Sequence, residues 1–138
     1  MITGYNHMCL TVGDLERSID FYSQAFGFQV KDRFEGTGGN AGYEGGHTKV
    51  AFLTLGLLNL ELIQYLKPKG KHPRLEAKDV GTPHLAFTSD NVPADYERLQ
   101  ALGTRFVTAP RYHAKWGSTS VYGLDPDGIP FELRDRPW

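Results

Sequence analysis

The sequence predicts an α+β fold in which two copies of one β-α-β-β-β module pair face to face. The first observation behind this prediction is that strand-like and helix-like patterns follow the same order in both halves of the chain. The second is a matched offset, because His7 and His84 lie 77 residues apart in the two halves. The third is that Glu61 and Glu132, each in the last predicted strand of its half, lie 71 residues apart. Two repeats are too few for a solenoid, so we expect the modules to surround a shared centre.

The first module shows a strand, a helix and three further strands. Its opening segment is rich in β-forming residues. Asp14 then precedes apolar residues at spacings of three, four and seven, and Gly27 ends this helical pattern as a C-cap. The segment at 36–46 contains too many glycines for regular structure, which predicts a loop. The predicted strands of this module are 5–12, 28–34, 49–55 and 58–66.

The second module repeats this order after a polar segment at 67–83, which is predicted to be a linker because it contains several prolines and glycines. A helical pattern occupies 92–102, and Gly103 caps it. The sequence Asp125-Pro-Asp-Gly128 predicts a turn before the last strand. The predicted strands of this module are 84–89, 104–108, 118–124 and 130–134.

The length and composition fit one globular domain. The chain has 138 residues, of which 40% are hydrophobic and 22% are charged, so it can bury a core of its own. We therefore expect a single domain over residues 1–138, with the first module at about 1–66 and the second at about 84–138.

Charge and hydropathy argue against several classes of partner. A formal net charge of −1 without a basic stripe predicts no binding to nucleic acid. No apolar stretch reaches the length of a membrane span, and no basic segment followed by an apolar run marks a signal peptide. Cys9 is the only cysteine and cannot form an internal disulfide, which fits a reducing compartment. We therefore expect a cytoplasmic protein with no nucleic-acid or membrane partner.

Four ionisable residues occupy equivalent positions of the two modules. His7 and His84 lie in the first strand of each module, and Glu61 and Glu132 lie in the last. Strand side chains alternate between two faces, and the neighbours of these residues include large apolar side chains that can cover the helix. We therefore expect all four to project from the opposite face, toward a concavity between the modules. A lone histidine or glutamate in a strand is more often structural or solvated, but equivalent placement in two repeats favours a common site.

A divalent cation would stabilise such a cluster. Two carboxylates at close range repel each other, and burying either charge alone costs several kcal/mol. Two imidazoles and two carboxylates suit a borderline or hard first-row ion and leave positions for water or substrate. The sequence therefore predicts one divalent ion, Zn(II), Ni(II), Co(II), Mn(II) or Fe(II), held by His7, Glu61, His84 and Glu132.

These residues and their order resemble the vicinal oxygen chelate superfamily, which includes glyoxalase I, methylmalonyl-CoA epimerase, extradiol dioxygenases, and fosfomycin and bleomycin resistance proteins. The resemblance covers nearly the whole chain and is strongest at 7–22, 26–27, 84–87 and 125–133. It implies two paired βαβββ modules that form a curled mixed sheet around a metal cup. The four glyoxalase-type ligand positions fall on His7, Glu61, His84 and Glu132.

By this resemblance, the protein is a metal-dependent lyase or isomerase, similar to lactoylglutathione lyase, that acts on a small oxygenated substrate through a metal-bound enolate. A ligating carboxylate of this class can also move the proton, which makes Glu132 the first candidate for the base and Glu61 the second. The family also implies a homodimer. Bacterial glyoxalase I usually has arginine and asparagine where this chain has Thr11 and Tyr65, which argues against a glutathione hemithioacetal substrate.

Two alternatives stay open within the same superfamily. An Fe(II) extradiol dioxygenase needs only three ligands, which His7, His84 and Glu132 match. Tyr122, which precedes the Asp-Pro-Asp-Gly turn, is similar to that class, whereas a carboxylate at Glu61 argues against it. A drug-binding resistance protein is the other alternative, and a metal-free binder of that kind has little use for all four ligands.

Three further features border the predicted site. Cys9 shares a strand face with His7, and we expect an inert, buried thiol because nothing nearby in the sequence would activate it. Arg134 shares a strand face with Glu132, and either a substrate carboxylate or a neighbouring acid could be its partner. The loop at 111–116 mixes cationic and aromatic residues, so both a solvated surface and a lid over an anionic or aromatic substrate are open.

Overall fold

The computed structural model describes residues 1–40, 43–73 and 76–136. The chain divides into two compact units, residues 1–72 and 73–138, and the boundary lies inside the predicted linker. Neither helix in the described part of the chain has the length and apolarity that a membrane span requires. The first unit contains β1 (Met8–Thr11), α1 (Leu15–Phe26), β2 (Gln29–Asn40), β3 (Tyr43–Leu55) and β4 (Leu58–Lys67). The second unit contains β5 (Leu85–Thr88), α2 (Val92–Ala101), β6 (Arg105–Phe106), β7 (Arg111–His113), β8 (Ser118–Leu124) and β9 (Pro130–Arg134).

A four-stranded mixed sheet forms the first unit, with the strands in the order β1-β4-β3-β2. β1 runs parallel to β4, and the other neighbours are antiparallel. Helix α1 packs against β3 and β4 through the apolar stripe that the sequence predicts, and Leu15, Ile19 and Tyr22 on this stripe are buried. Leu60 and Leu62 of β4 are buried as well, so the core of the unit lies on the helix side of the sheet.

The ends of α1 are set by side chains that the sequence places there. The Asp14 side chain accepts a backbone hydrogen bond at the N-terminus, and Gly27 ends the helix in the left-handed conformation with φ of 80°. Gln64 of β4 braces the turn before the helix, because it accepts a hydrogen bond from the Leu15 N–H at 3.2 Å and donates one to the Gly13 carbonyl at 2.8 Å. These contacts tie the first strand, the helix and the last strand of the module together.

A second mixed sheet forms the second unit, with the strands in the order β5-β9-β8-β6 and with β7 paired to β8. β5 runs parallel to β9, as β1 does to β4. Helix α2 packs against β8, and its residues Val92 and Leu99 are buried. A chain of aromatic rings continues this core, since Tyr96 lies against Phe106 at 4.6 Å between ring centroids and Phe106 lies against Phe131 at 5.9 Å.

The turn that precedes β9 is held by one buried carboxylate. Asp125 Oδ1 accepts hydrogen bonds from the backbone N–H groups of Asp127 and Ile129 at 2.9 Å and 2.7 Å. Gly128 takes a φ of 85°, which a residue with a Cβ rarely adopts. The turn fixes where β9 starts, and it therefore also fixes which of its side chains face away from the helix.

The predicted fold class is confirmed: the protein is α+β, with two mixed sheets that share the order strand, helix and three strands, apart from the additional strand β7 in the second. The prediction that the glycine-rich segment is irregular is wrong, because β2 and β3 extend into it, with Gly36 opposite Thr48. Antiparallel pairing uses main-chain groups only, so a side chain is not needed to continue the ladder. Residues 41 and 42 lie outside the described residues. The sequence also did not predict β7, a strand of only three residues.

Gly123 of β8 lies opposite Phe131 of β9, and a Cβ at this glycine would lie 2.3 Å from Cζ of the ring. The ring is buried and contacts Phe106, so it cannot move aside without disturbing the core. We expect Gly123→Ala to lower the free energy of unfolding by about 1–3 kcal/mol, measured by urea denaturation.

Replacing Phe131 by Leu makes room for the new methyl group. The double variant Gly123→Ala with Phe131→Leu should therefore lose less stability than the sum of the two single variants. Strictly additive losses would show that the ring and the Cβ do not compete for the same space.

Candidate functional site

The first predicted His–Glu pair comes together where β1 and β4 run parallel in the first unit. His7 lies one residue before β1, and Glu61 of β4 lies opposite Cys9. Nε2 of His7 is 3.2 Å from Oε2 of Glu61. The two side chains are 39% and 19% exposed, so this pair is partly open to water. Because side chains alternate along β4, the pair lies on the sheet face opposite the buried residues Leu60 and Leu62.

Two asparagines orient the His7 ring. Nδ1 of His7 lies 2.7 Å from Oδ1 of Asn6, and the side-chain amide of Asn59 donates to the Asn6 carbonyl at 3.0 Å. In the neutral tautomer that donates from Nδ1 to Asn6, Nε2 of His7 keeps its lone pair, which is the state that a metal ligand requires. The nitrogen that faces Glu61 is therefore the one that a cation would use.

Cys9 borders this pair on β1. The prediction that this residue is buried is wrong, because it lies on the face of β1 away from the helix and is exposed. Three causes together raise the pKa of Cys9 from 9.0 to about 12: partial burial of its thiol, which is the largest, the hydrogen bond to Glu61, and the charge of that carboxylate. The thiol is therefore protonated at neutral pH, beside a carboxylate that accepts its hydrogen.

The second predicted pair repeats this arrangement in the second unit. His84 lies one residue before β5, and Glu132 of β9 lies opposite Ala86. Nε2 of His84 is 3.9 Å from Oε2 of Glu132, which is beyond hydrogen-bond distance. The His84 side chain is 50% exposed and that of Glu132 only 7%. In both units, the residue two positions after the histidine lies opposite the glutamate.

Two neighbours hold the Glu132 carboxylate. Tyr122 of β8 lies directly opposite Glu132, and its hydroxyl donates a hydrogen bond to the carboxylate. Burial raises the pKa of the Tyr122 phenol, the hydrogen bond and charge of Glu132 raise it further, and Arg134 lowers it. Nη1 of Arg134 lies 3.8 Å from Oε1 of Glu132. The Tyr122 ring also stands edge-on to His84, at 5.9 Å between centroids.

A row of polar side chains continues from Arg134 along the same face of this sheet. Nη2 of Arg134 donates to Oγ of Ser118 at 3.3 Å. Ser120 lies opposite Arg134 in the ladder, and its Oγ is 3.1 Å from Nε2 of His113. The ring of His113 in turn contacts Trp116, with 5.8 Å between centroids. The row therefore runs from the guanidinium, which lies next to the buried carboxylate, to two hydroxyls and an imidazole further along the sheet.

Each unit thus brings together one of the two predicted ligand pairs. Among the described residues, no group of three or more His, Cys, Asp or Glu side chains is arranged to hold a metal ion. Two donors of one ion, each about 2.1 Å from it, lie roughly 3 Å apart. The 3.2 Å separation of the first pair fits this value, and the 3.9 Å separation of the second needs a movement of less than 1 Å by the half-exposed His84. The donors of each pair therefore fit a divalent ion, and the joint four-ligand site stays a prediction.

Sequence reasoning missed part of the surroundings of these pairs. It did not single out Asn6 and Asn59, it named Tyr122 without assigning a contact to it, and it left two partners open for Arg134. A signal for Tyr122 was present, because it precedes the Asp-Pro-Asp-Gly turn by three residues and Glu132 follows that turn by four. A hairpin around this turn brings the two residues to facing positions.

Comparison with known proteins identifies the family. A family model described as the Glyoxalase/Bleomycin resistance protein/Dioxygenase superfamily matches residues 4–133. Because this match covers nearly the whole chain, the protein belongs to that superfamily, and the resemblance noted in the sequence is confirmed.

Individual relatives agree with this assignment, and a solved structure shows the same fold. The chain is 32% identical to a lactoylglutathione lyase of Salmonella typhimurium, over 92% of this chain and 88% of that protein. It is 30% identical to a putative lactoylglutathione lyase of Brassica oleracea var. gemmifera, over 94% of this chain but only 43% of the relative. The chain thus spans less than half the length of this plant relative. A crystal structure of a glyoxalase family protein from Bacillus cereus has the same fold, with a TM-score of 0.84, 20% identity and coverage of 97% of this chain and 94% of the other.

The raised pKa of Cys9 predicts slow alkylation in spite of the exposure of the residue. A rise from 9.0 to about 12 leaves roughly a thousandfold less thiolate at pH 8, and the thiolate is the reacting form. In chelator-treated, folded protein we expect the rate with iodoacetamide to be far below that of the urea-unfolded chain and to rise steeply toward pH 12. Mass spectrometry follows this reaction without ambiguity because the chain has one cysteine.

Glu61→Gln removes a carboxylate charge that helps to raise the pKa of Cys9, so the thiol of this variant should react faster than that of the wild type. Glu35→Gln, at an exposed glutamate of β2, is the control and should leave the rate unchanged. Equal rates in the folded and unfolded wild type would contradict the prediction.

Proposed function

We propose that this protein is a metal-dependent lyase or isomerase of the glyoxalase type that acts on a small oxygenated substrate. The observation that carries this proposal is the repeated His–Glu pair. In both modules the histidine precedes the first strand by one residue and the glutamate projects from the last strand at the same offset. An exposed ion pair contributes little stability, so stability alone gives no reason for the pair to stand at equivalent positions of two modules.

We propose that His7, Glu61, His84 and Glu132 together hold one divalent ion, namely Zn(II), Ni(II), Co(II), Mn(II) or Fe(II). Two imidazoles and two carboxylates match the ligand preferences of this group of ions, and the two acids offset the charge of a dication. When bound, such an ion supplies Lewis-acid stabilisation of negative charge that develops on a substrate oxygen.

Glu132 is the first candidate for the group that moves the proton. Its carboxylate would take the proton from a carbon next to a substrate carbonyl and return it to the neighbouring carbon. Tyr122 and Arg134 favour this role, because the Tyr122 hydroxyl donates a hydrogen bond to the carboxylate and the Arg134 guanidinium lies within ion-pair distance of it. Glu61, which is less buried than Glu132, is the second candidate.

The relatives support the class of reaction more than the substrate. The bacterial relative at 32% identity is named a lactoylglutathione lyase, which favours lyase or isomerase chemistry on a hydroxy- or oxo-carbonyl compound. Thr11 and Tyr65 stand where bacterial glyoxalase I usually has arginine and asparagine, so the proposed substrate does not include the glutathione portion.

We also propose that the protein is a cytoplasmic homodimer. The plant relative is more than twice as long as the part that this chain matches. Two copies of this chain would supply a comparable length of polypeptide, as a single longer chain does in that relative.

Metal content and proton exchange test the proposal together. We expect the zinc-loaded wild type to retain about one ion per chain after desalting and to incorporate solvent deuterium into hydroxyacetone, followed by NMR in D₂O. Glu61→Gln and Glu132→Gln should each weaken zinc binding roughly tenfold or more, because each removes a proposed ligand. With zinc held at saturation, Glu132→Gln should slow the exchange roughly a hundredfold or more.

Glu35→Gln is a matched control for this experiment. Oε1 of Glu35 lies 3.1 Å from Nε2 of His47, so the two residues form a His–Glu pair of the same chemistry. This pair lies on β2 and β3 and includes none of the proposed ligands. This variant should bind zinc and exchange deuterium like the wild type. If all three variants bound zinc equally, the four-ligand proposal would be wrong.

One observation favours a second candidate function, an Fe(II) extradiol dioxygenase. Tyr122 donates a hydrogen bond to the carboxylate of Glu132, and its ring lies edge-on to that of His84, which suits proton transfer beside a catechol. This reaction uses His7, His84 and Glu132 as ligands and does not need Glu61. It therefore predicts rapid oxygen uptake with catechol by the iron-loaded protein, measured with an oxygen electrode, and retention of iron and activity in Glu61→Gln. Absence of oxygen uptake in the iron-loaded wild type would remove this candidate.

A further inference from the structure

We infer that the β7–β8 hairpin of the second unit carries a phosphate-binding subsite, formed by Arg111, His113 and Lys115. The ligand class is a phosphate monoester of a small hydroxy- or oxo-carbonyl compound, such as an open-chain ketose phosphate. This inference deepens the proposed function and rests on it, because it sets the phosphate on the same sheet face as Glu132, to which we assign proton transfer.

Strand β7 (Arg111–His113) is an addition to the repeated module. Both units share the order strand, helix and three strands, and the second contains this short strand as well, paired with β8. Two of its three side chains, Arg111 and Tyr112, are exposed, and the third, His113, is only partly buried. The strand therefore adds little to the apolar core, and packing of the module does not explain its residue types.

Two cations on this hairpin lack an acidic partner in the described part of the chain. Arg111 and Lys115 are exposed, and neither forms an ion pair with a carboxylate of the described residues. The carboxylate of Asp135, which lies beside the hairpin, accepts instead from the Thr119 N–H at 2.9 Å. Because the whole chain has a net charge of −1, the hairpin is a local excess of positive charge. A phosphate monoester, with about two negative charges at neutral pH, complements this excess.

Aromatic contacts hold the tip of the hairpin in place. Nζ of Lys115 lies 5.7 Å from the centroid of the Trp116 ring, and this ring lies 5.8 Å from that of His113. Nε2 of His113 lies 3.1 Å from Oγ of Ser120. A lysine already held over an aromatic ring loses less freedom when it binds an anion. In the His113 tautomer that accepts the Ser120 hydroxyl at Nε2, Nδ1 carries the hydrogen that a phosphate oxygen can accept.

The strand register puts this subsite within reach of Glu132. Arg111 lies opposite Ser120, and Tyr122 lies opposite Glu132. Ser120 and Tyr122 are alternate residues of β8, so they share one face of the sheet about 7 Å apart. A chain of about five single bonds spans this distance, which is the separation between the carbonyl and the phosphorus of a pentulose phosphate. The phosphate also stays clear of the Glu132 carboxylate, which would repel it.

D-Ribulose 5-phosphate and D-ribulose are the probes for this subsite, because they differ only in the phosphate. Calorimetry of the wild type, both chelator-treated and zinc-loaded, should show roughly tenfold or more tighter binding of the phosphate ester. This preference should shrink as sodium chloride is added, because salt screens exposed charges. The subsite is wrong if the two probes bind equally at low salt.

Arg111→Met and Lys115→Met each remove one charge and keep most of the length of the side chain. Each should weaken binding of D-ribulose 5-phosphate roughly fivefold to twentyfold and leave D-ribulose unchanged. Both residues are exposed, so we expect both variants to fold, and thermal unfolding checks this. Arg98→Met on α2 and Lys31→Met on β2 are the matched controls, since each removes an exposed cation elsewhere. Equal losses in the controls would show unspecific attraction and would contradict the subsite.

The outcomes separate this inference from the proposed function, because zinc affinity is measured on the same proteins without either probe. If the wild type binds zinc but the folded Arg111 and Lys115 variants bind D-ribulose 5-phosphate like the wild type, the subsite is wrong and the metal proposal stands. If the wild type binds no zinc but its binding of the phosphate ester depends on both cations, the subsite stands and the metal proposal is wrong.

Discussion

The parallel pairing between the first and last strands of each module is the constraint on which the rest of the molecule depends. The ladder sets Cys9 opposite Glu61 and Ala86 opposite Glu132. The histidine two residues before Cys9 or Ala86 therefore comes close to the glutamate in both units. Because side chains alternate along a strand, the intervening leucines are directed to the helix and the polar residues away from it. The apolar core and the acid–imidazole pairs are therefore two results of a single hydrogen-bond ladder.

The two modules share this backbone arrangement but differ in what surrounds the carboxylate. Glu61 lies opposite Phe52 on β3 and beside a thiol, and it is partly open to water. Glu132 lies opposite Tyr122 and near Arg134, and it is almost fully buried. The same backbone arrangement thus holds one acid that water reaches, Glu61, and one that is buried beside Tyr122 and Arg134, Glu132. A duplicated fold can assign different tasks to its two copies in this way, because register neighbours can change without any change in the ladder.

Local patterns in the sequence were sufficient where short-range chemistry decides the structure. Asp14 and Gly27 set the ends of the first helix, and the Asp-Pro-Asp-Gly turn sets the start of the last strand. The duplication further identified the two pairs, since equivalent positions of repeats acquire equivalent contacts. Features that depend on long-range packing could not be predicted from the sequence. The pairing of the glycine-rich hairpin follows from main-chain groups that carry no side-chain signal. The neighbours of Arg134 depend on the register between three strands. Whether the two pairs meet at one ion depends on the placement of whole modules.

The shared ladder also limits how the length of such a chain can change. A residue inserted within β4 or β9 would turn Glu61 or Glu132 toward the helix and bring leucines to the opposite surface. An insertion in the connection between β2 and β3, or in the segment between the modules, would leave both ladders in register. Insertions and deletions are thus expected in the connections and not in β4 or β9. Altered chemistry can instead arise by single replacements at Phe52 or Tyr122, which flank the acids and leave the backbone frame untouched.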